Sequence, residues 1–536
     1  MNRSLAFGIC YLFSLSLFAA MPEWKQRLMP EDDTWKSTEQ HLIFHNESEP
    51  ETLDPTMMTG VGESRIGEAL FEGLTSLDPE TLEIRPGVAE RWEVSEDGLV
   101  YTFHLHKDSK WSDGSPLTAR DFVHSWKRAL SAETASSYAY QLYPLANAEA
   151  FHKGKLKDFS QVGVKVIDDY TLETTLTSPT SYWLDLTAFH TLFPVPVALI
   201  NQHGDRWVRP EHIICNGPFK MVEWSPREKI VLEKNPHFID ADIVKLKKIT
   251  ILPYDNLDTA YRLYLQGEMH WLNGVPQSKL EEIRRHPDYY VTPYFGTYFY
   301  RFNITRPPFE DVRVRKAFSM AINRSLITDT ITRSGQQPVT SFCPPVAGYE
   351  PVDGIGYNRE EARKLAAQSG YGTADKPWPE IEILFNTSEA HKQIAEAIAQ
   401  MWKETFGVTV SLRNQEWKVY LSEQDNLNFQ VCRASWIGDY SDPNTFLDMF
   451  VTDGGNNRTG WSSAKHDDLL KQAQAEINSE KRLALYQQIE SILVKEETPI
   501  APIYRYVNQG MLNESVYGWY ENIRDRHPLQ YIWLQD

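Results

Sequence analysis

Apolar residues along the chain follow two rhythms. Tyr101, Phe103 and Leu105 recur at every second position, and so do Val164, Val166, Leu172 and Thr174 about Asp168-Asp169. That period predicts half-buried strands, the second set folded back as a hairpin. His41-Leu42-Ile43-Phe44-His45-Asn46 reads as a buried strand, and strands are expected around Ile230-Val231-Leu232 and Ile249-Thr250-Ile251-Leu252. The helical rhythm follows in Ile66, Leu70 and Phe71, after a Thr59-Gly60-Val61-Gly62 loop. It returns in Phe122, Val123, Trp126, Ala129 and Leu130, behind the capping-box spacing of Thr118 and Asp121. In the second half Ile381, Ile383 and Phe385 form a strand. Ser388 offers a helix cap, Ile394, Ile398, Met401 and Trp402 mark a helical stripe ending before Gly407, and Val408, Val410 and Leu412 form the next strand. Helices through Leu469-Leu470-Ala473 and Leu483-Tyr486-Ile489-Leu493 precede a strand at Ile500-Ala501-Pro502-Ile503-Tyr504.

Between these elements lie turns: Glu49 to Pro55, Trp111 to Gly114 and Asn216 to Phe219. Phe193-Pro194-Val195-Pro196 reads as a stiff crossing between lobes. Residues from Met21 to Gln40 are polar and read as a loosely ordered arm.

One stretch concentrates chemistry. Arg433-Ala434-Ser435-Trp436-Ile437-Gly438-Asp439 follows the strand-like Phe429 and Val431 and precedes a helical pattern at Phe446, Leu447 and Phe450. A cation, a large aromatic, a glycine and an acid thus gather at a strand end, where open α/β sheets bind ligands. Asp439 taken alone also fits a helix cap or turn residue. His391 falls in the first turn of its helix, beside free backbone N–H groups and the positive dipole end, a place suited to a carboxylate. His104 and His106 share a strand face without a third ligand nearby, and an outward polar face accounts for them better than a metal.

A length of 536 residues points to about three or four domains. The formal charge of −19 argues against nucleic-acid partners, which require a basic face. Residues 1–20 read as a signal peptide, with Arg3 before an apolar run from Leu5 to Phe18 and no lipobox at Cys10. The remaining cysteines, Cys215, Cys343 and Cys432, are odd in number and lack a C-x-x-C pair, so neither a disulfide framework nor a zinc site is expected. No G-x-S-x-G, H-E-x-x-H, G-x-x-x-x-G-K-[ST] or G-x-G-x-x-G motif occurs, which favours binding over catalysis and needs no cofactor.

Blocks at Leu53-Asp54-Pro55, Leu70-Phe71-Glu72-Gly73-Leu74, Pro86-Gly87-Val88-Ala89-Glu90, Lys110-Trp111-Ser112-Asp113-Gly114, Ala119 to Val123, Asn216-Gly217, Asp311 to Arg315, Asn386-Thr387-Ser388, Asn414 to Trp417 and Arg433 onward occur in one order. With them the chain resembles the periplasmic oligopeptide-binding proteins of bacterial ABC transporters, family 5 of the solute-binding proteins, from about His41 to the C-terminus. The resemblance implies an α/β, two-lobed periplasmic-binding-protein fold of the class II type, with a hinge and an additional third domain. Lobe I would gather residues 41–73, 198–295 and 505–536, the extra domain residues 74–197, and lobe II residues 296–504. It further implies a monomeric, soluble periplasmic receptor for short peptides, partnered by ABC permease subunits and without metal or enzymatic activity.

By the same resemblance Asp439 meets the peptide α-ammonium, and Arg433 and His391 meet its carboxylate. Thr59, Gly60, Val61, Tyr138, Asn273, Trp417, Ala434, Ser435, Trp436 and Ile437 hold backbone and side chains. The chain also departs from the pattern. Gln424 and Thr332 (beside Arg333) stand where relatives place further cations, Thr59 replaces a glutamate, and Gly296 and Ile437 replace a cysteine pair. A murein-peptide binder, or a peptidase or amidase on the same scaffold, are the alternative functions.

Overall fold

The computed structural model describes residues 21–346 and 348–535; the signal peptide expected at residues 1–20 lies outside them. Its strands in chain order are β1 (His41–His45), β2 (Ala89–Val94), β3 (Val100–Leu105), β4 (Val164–Asp168), β5 (Thr171–Thr175), β6 (Phe219–Ser225), β7 (Lys229–Lys234), β8 (Lys248–Leu252), β9 (Trp271–Asn273), β10 (Tyr289–Phe302), β11 (Ile381–Asn386), β12 (Val410–Gln415), β13 (Val431–Ile437) and β14 (Ile500–Leu512). The helices that matter here are α1 (Val61–Leu70), α2 (Ala119–Ala129), α3 (Glu389–Phe406), α4 (Trp417–Asp425), α5 (Ala464–Ala475) and α6 (Ser479–Ser491).

The large sheet runs β12-β11-β13-β10-β14-β9-β1-β8-β7-β6, with Gln337–Pro338 paired to β14 at the side. Among the described residues only β10 and β14 belong to both of its halves. Their first contact joins Tyr289–Pro293 to Met511–Val507, and their second joins Thr297–Arg301 to Arg505–Ile500, with the register broken between. Beyond the break β10 pairs with β13, whereas before it β14 pairs with β9. The two-lobed α/β organisation follows from this exchange of neighbours.

Each half has its own core. Phe44, Leu70, Trp126, Trp183 and Ile251 belong to the first, and Phe318, Ile383, Ile398, Trp402 and Val431 to the second. The four-stranded sheet β2-β3-β5-β4 stands apart from the large sheet, and the β4–β5 hairpin forms where the alternation predicts it. Thr118 and Asp121 close a capping box on α2. In the second half β11, α3 and β12 form the parallel strand-helix-strand unit. Ser388 Oγ accepts from the His391 N–H at the start of α3, and Gly407 ends it at φ 71°, a left-handed conformation that favours glycine.

Three expectations change. Phe193 to Pro196 is not the crossing between lobes. Phe193 and Val195 are buried in the first core, and the Val195 N–H donates to Ser125 Oγ at 2.8 Å. Residues 21–40 are not a loose arm. Leu28 and Met29 insert into the same core, and Arg27 holds Asp78 at 2.8 Å, so two apolar side chains anchor an otherwise polar stretch. Finally, Val61 and Gly62 lie within α1 and not in the loop before it, Gly60 taking the N-cap position.

Trp402 is fully buried and donates from Nε1 to the Phe318 carbonyl at 2.9 Å. Trp402→Ala is expected to cost about 3–5 kcal/mol, read as a lower urea midpoint for the second half's unfolding, with Trp402→Phe costing less.

Candidate functional site

A cavity of about 310 Å³ lies between the halves. The first half supplies Thr59, Gly60, Val61, Tyr138 and Asn273, and the second His391, Trp417, Arg433, Ala434, Ser435, Trp436, Ile437 and Asp439. Every residue singled out for the site therefore lines one space. Gln424 lines it too, but Thr332 and Arg333 do not. The Thr332 carbonyl accepts from Gln277, and Arg333 lies 3.6 Å from Glu281.

Sheet geometry explains the long wall. β13 pairs with β10 along its whole length, but with β11 only at Val431 and Cys432. From Arg433 to Ile437 the other edge has no strand beside it among the described residues, and unpaired strand edges accept extended chains. Tyr420 on α4 already donates to the Arg433 carbonyl.

At one end sits Asp439, 9% exposed. Its Oδ1 accepts from Tyr138 Oη at 3.3 Å and its Oδ2 from Gln141 Nε2 at 3.1 Å, so both first-half donors reach one second-half carboxylate. Its own N–H donates to Thr445 Oγ1 at 2.9 Å. Arg524 donates to the Asp439 backbone carbonyl, not to its carboxylate, and forms its ion pair with Asp185 at 2.8 Å. Burial pushes the Asp439 carboxyl up to about 7, against the opposing pull of Arg524 and Tyr138. Beneath it Tyr138, Tyr140 and Phe189 pack with Phe295, Trp436 and Phe446, an apolar seam across the halves.

Arg433 stacks over the Tyr298 ring at 4.8 Å and donates to Tyr506 Oη at 2.6 Å and Asn386 Oδ1 at 3.2 Å. Among the described residues it has no carboxylate partner. His391 lies beside it, 3.4 Å from Tyr298 Oη. Burial and then the Arg433 charge hold the imidazole well below its usual value, so it is neutral. At this end Arg433 carries the positive charge and His391 offers a neutral hydrogen bond.

Trp417 Nε1 donates across the halves to Glu63 Oε1 at 3.0 Å. A Cβ on Gly60 would stand 1.8 Å from Glu63 Oε2, so glycine is what lets that carboxyl turn toward Trp417. Asn273 donates to Glu47 at 3.2 Å. Gly296 and Ile437 are direct register partners, and Ile437 Cδ1 fills the place a Cβ on Gly296 would take. Cys215, Cys343 and Cys432 are buried free thiols. No group of acidic, histidine and cysteine residues suited to a metal occurs among the described residues.

Sequence reasoning did not find Glu63, Arg301 or the Arg65–Asp525–His527 cluster on the cavity wall, nor Gln141 behind it on the Asp439 carboxylate. Gln141 carries no motif. Arg301 had a signal, being a lone cation in the aromatic strand Tyr298-Phe299-Tyr300-Arg301-Phe302.

The sequence pattern of the bacterial extracellular solute-binding proteins, family 5 (Middle), matches residues 83–458. The chain belongs to this family. It is 37% identical to the periplasmic oligopeptide-binding protein OppA of Salmonella typhimurium over 509 residues, covering 93% of this chain and 92% of that protein. Haemophilus influenzae OppA in complex with the peptide RPPGFSPFR is similar at a TM-score of 0.89 and 32% identity, covering 95% of this chain and all of that one. The Escherichia coli murein tripeptide binding protein MppA reaches 0.88 at 34% identity, covering 95% of this chain and all of that one. The unliganded open form of MppA reaches only 0.62 at 35% identity, covering 94% and 98%. The structure described here is thus more similar to the first of these MppA structures than to the unliganded open form.

Raised carboxyl groups link stability to pH. In the folded form described here, with its halves together, burial holds the Asp439 carboxyl at about 7, above its unfolded value near 3.9. Its cost to stability is therefore absent at low pH and grows as pH rises through that window. In thermal unfolding of ligand-free protein, Asp439→Asn is expected to gain on the parent between pH 4 and 8, by on the order of a few kcal/mol at pH 8. A difference independent of pH would contradict this.

Proposed function

We propose that this chain is an extracytoplasmic receptor that captures short oligopeptides in extended form between its lobes and delivers them to an ABC peptide permease. The observation that carries the reading is the cavity's polarity. Among the described residues a buried carboxylate without an ion-pair partner stands at one end, Arg433 without one stands at the other, and a strand edge without a neighbouring strand runs between. A zwitterionic peptide complements all three. Its α-ammonium meets Asp439, its carboxylate meets Arg433 with His391 alongside, and its backbone pairs with Ala434 to Ile437 and the Thr59-Gly60-Val61 turn. Main-chain pairing is indifferent to side chains. Tyr138, Asn273, Trp417 and Trp436 wall the side-chain space, where water can fill what a residue leaves.

Lobe I comprises residues 41–73, 198–295 and 505–536, the extra domain 74–197, and lobe II 296–504, with the hinge where the β10–β14 register breaks. The protein works as a periplasmic monomer that binds without catalysis. Among the described residues no helix is long and apolar enough to cross a membrane.

Calorimetric titration of protein stripped of ligand by unfolding and refolding tests the reading, using tri-lysine and its N-acetylated twin. Tight binding of the free amine and loss on acetylation are expected. Asp439→Ala should weaken tri-lysine by roughly a hundredfold or more in Kd, the scale of about 3–5 kcal/mol for breaking a buried pair. Equal binding of both peptides moves the anchor elsewhere. Binding of neither turns the reading toward murein peptides.

A further inference from the structure

Six arginines line the cavity: Arg65, Arg301, Arg433, Arg458, Arg524 and Arg526. Four have carboxylate partners, Arg65 with Asp525 at 2.7 Å, Arg458 with Asp425 at 2.6 Å, Arg524 with Asp185 at 2.8 Å and Arg526 with Glu68 at 2.6 Å. Arg433 and Arg301 have none among the described residues. One free peptide carboxylate answers one of them and leaves the other unanswered.

Arg301 is 3% exposed, near the end of β10 and opposite Cys432 on β13. Strand alternation puts it on the sheet face opposite to Arg433, whose register partner is Tyr300, so the two cations serve different parts of the cavity. Its guanidinium donates to the Asn456 carbonyl at 3.2 Å and to Gln424 Oε1, lies 3.9 Å from Met449 Sδ, and leaves Nε without a partner. Gln424 accepts through its oxygen, so its amide nitrogen remains to donate. Burial and then the nearby Arg458 charge pull the guanidinium down to about 10, which leaves it charged at neutral pH. A buried cation satisfied only by neutral acceptors is costly, and a carboxylate brought by the ligand relieves that cost.

We propose that Arg301, with Gln424 beside it, is a specificity-determining residue that receives a second carboxylate of the bound peptide. This rests on the peptide-receptor reading. The carboxylate comes from an aspartate or glutamate side chain, or from the C-terminus of a peptide whose length carries it past Arg433. Either source makes the receptor favour ligands with a negative charge at this wall, although backbone pairing alone is indifferent to sequence.

The test is calorimetry with tri- and tetra-alanine peptides carrying Glu or Gln at each position in turn, and with their C-terminal amides. The proteins are the parent, Arg301→Met and Arg301→Lys, each checked for an unchanged far-ultraviolet spectrum. At one position the parent is expected to bind the Glu peptide about tenfold or more tighter than the Gln peptide. Arg301→Met should bring that ratio to about one, and Arg301→Lys should keep part of it. If the C-terminus is the source, the Glu/Gln ratio stays near one in the parent, and amidation weakens the parent but not Arg301→Met for one peptide length. Identical Glu/Gln ratios and identical amidation losses in parent and Arg301→Met overturn the role of Arg301 while peptide binding itself stands. If the parent binds none of the peptides, the receptor reading falls and this inference with it. Should Arg301→Met fail to fold, Arg301→Lys with Gln424→Ala gives the same comparison, and an unaltered Glu preference in both overturns the proposal.

Discussion

A sheet continuous through only two of its strands is stiff everywhere except where those strands change partners. β10 and β14 meet twice, and between Pro293 and Thr297 their register breaks. Before the break they belong with β9 and the first core, and after it with β13 and the second. Hydrogen bonds that are absent there cannot resist bending, so the lobes can reorient without unpairing either half. The cavity owes its place to this arrangement. It opens where the shared strands leave one set of neighbours for the other.

Closure then governs the electrostatics. Asp439 belongs to one half, while its donors Tyr138 and Gln141 belong to the other. Bringing them together removes water from the carboxylate and raises its affinity for a proton or for any cation that replaces one. The same logic applies to Arg433, held by Tyr506 and Asn386 and backed by the Tyr298 ring without a counter-charge. Each buried charge is tolerable because neutral donors or acceptors surround it, and each is incomplete without a ligand.

The local elements were largely legible in sequence because periodicity reports burial directly. Strand Ile381–Asn386, its helix and the strand after it follow from the alternation and stripe of their apolar residues, and the Thr118–Asp121 box marks a helix start. The candidate cavity residues were legible through the family resemblance, since no local pattern joins Thr59 to Asp439. Failures came where a signal was ambiguous. Two prolines at residues 194–196 suggest a stiff link, but Val195 is buried and its N–H is held by Ser125, facts of tertiary packing. Arg301 escaped because a lone cation in a strand does not say whether a carboxylate waits across the fold.

The three cysteines carry a last consequence. Burial drives Cys215 and Cys432 up to about 12 and Cys343 well above its ordinary value, so the nucleophilic thiolate form of each is scarce. Gly296 and Ile437, opposite each other on β10 and β13, carry no sulfur, and Ile437 packs against Gly296. Among the described residues no disulfide has to form or break when the lobes reorient. The receptor should cycle alike under oxidising and reducing conditions, its motion uncoupled from the redox poise of the compartment around it.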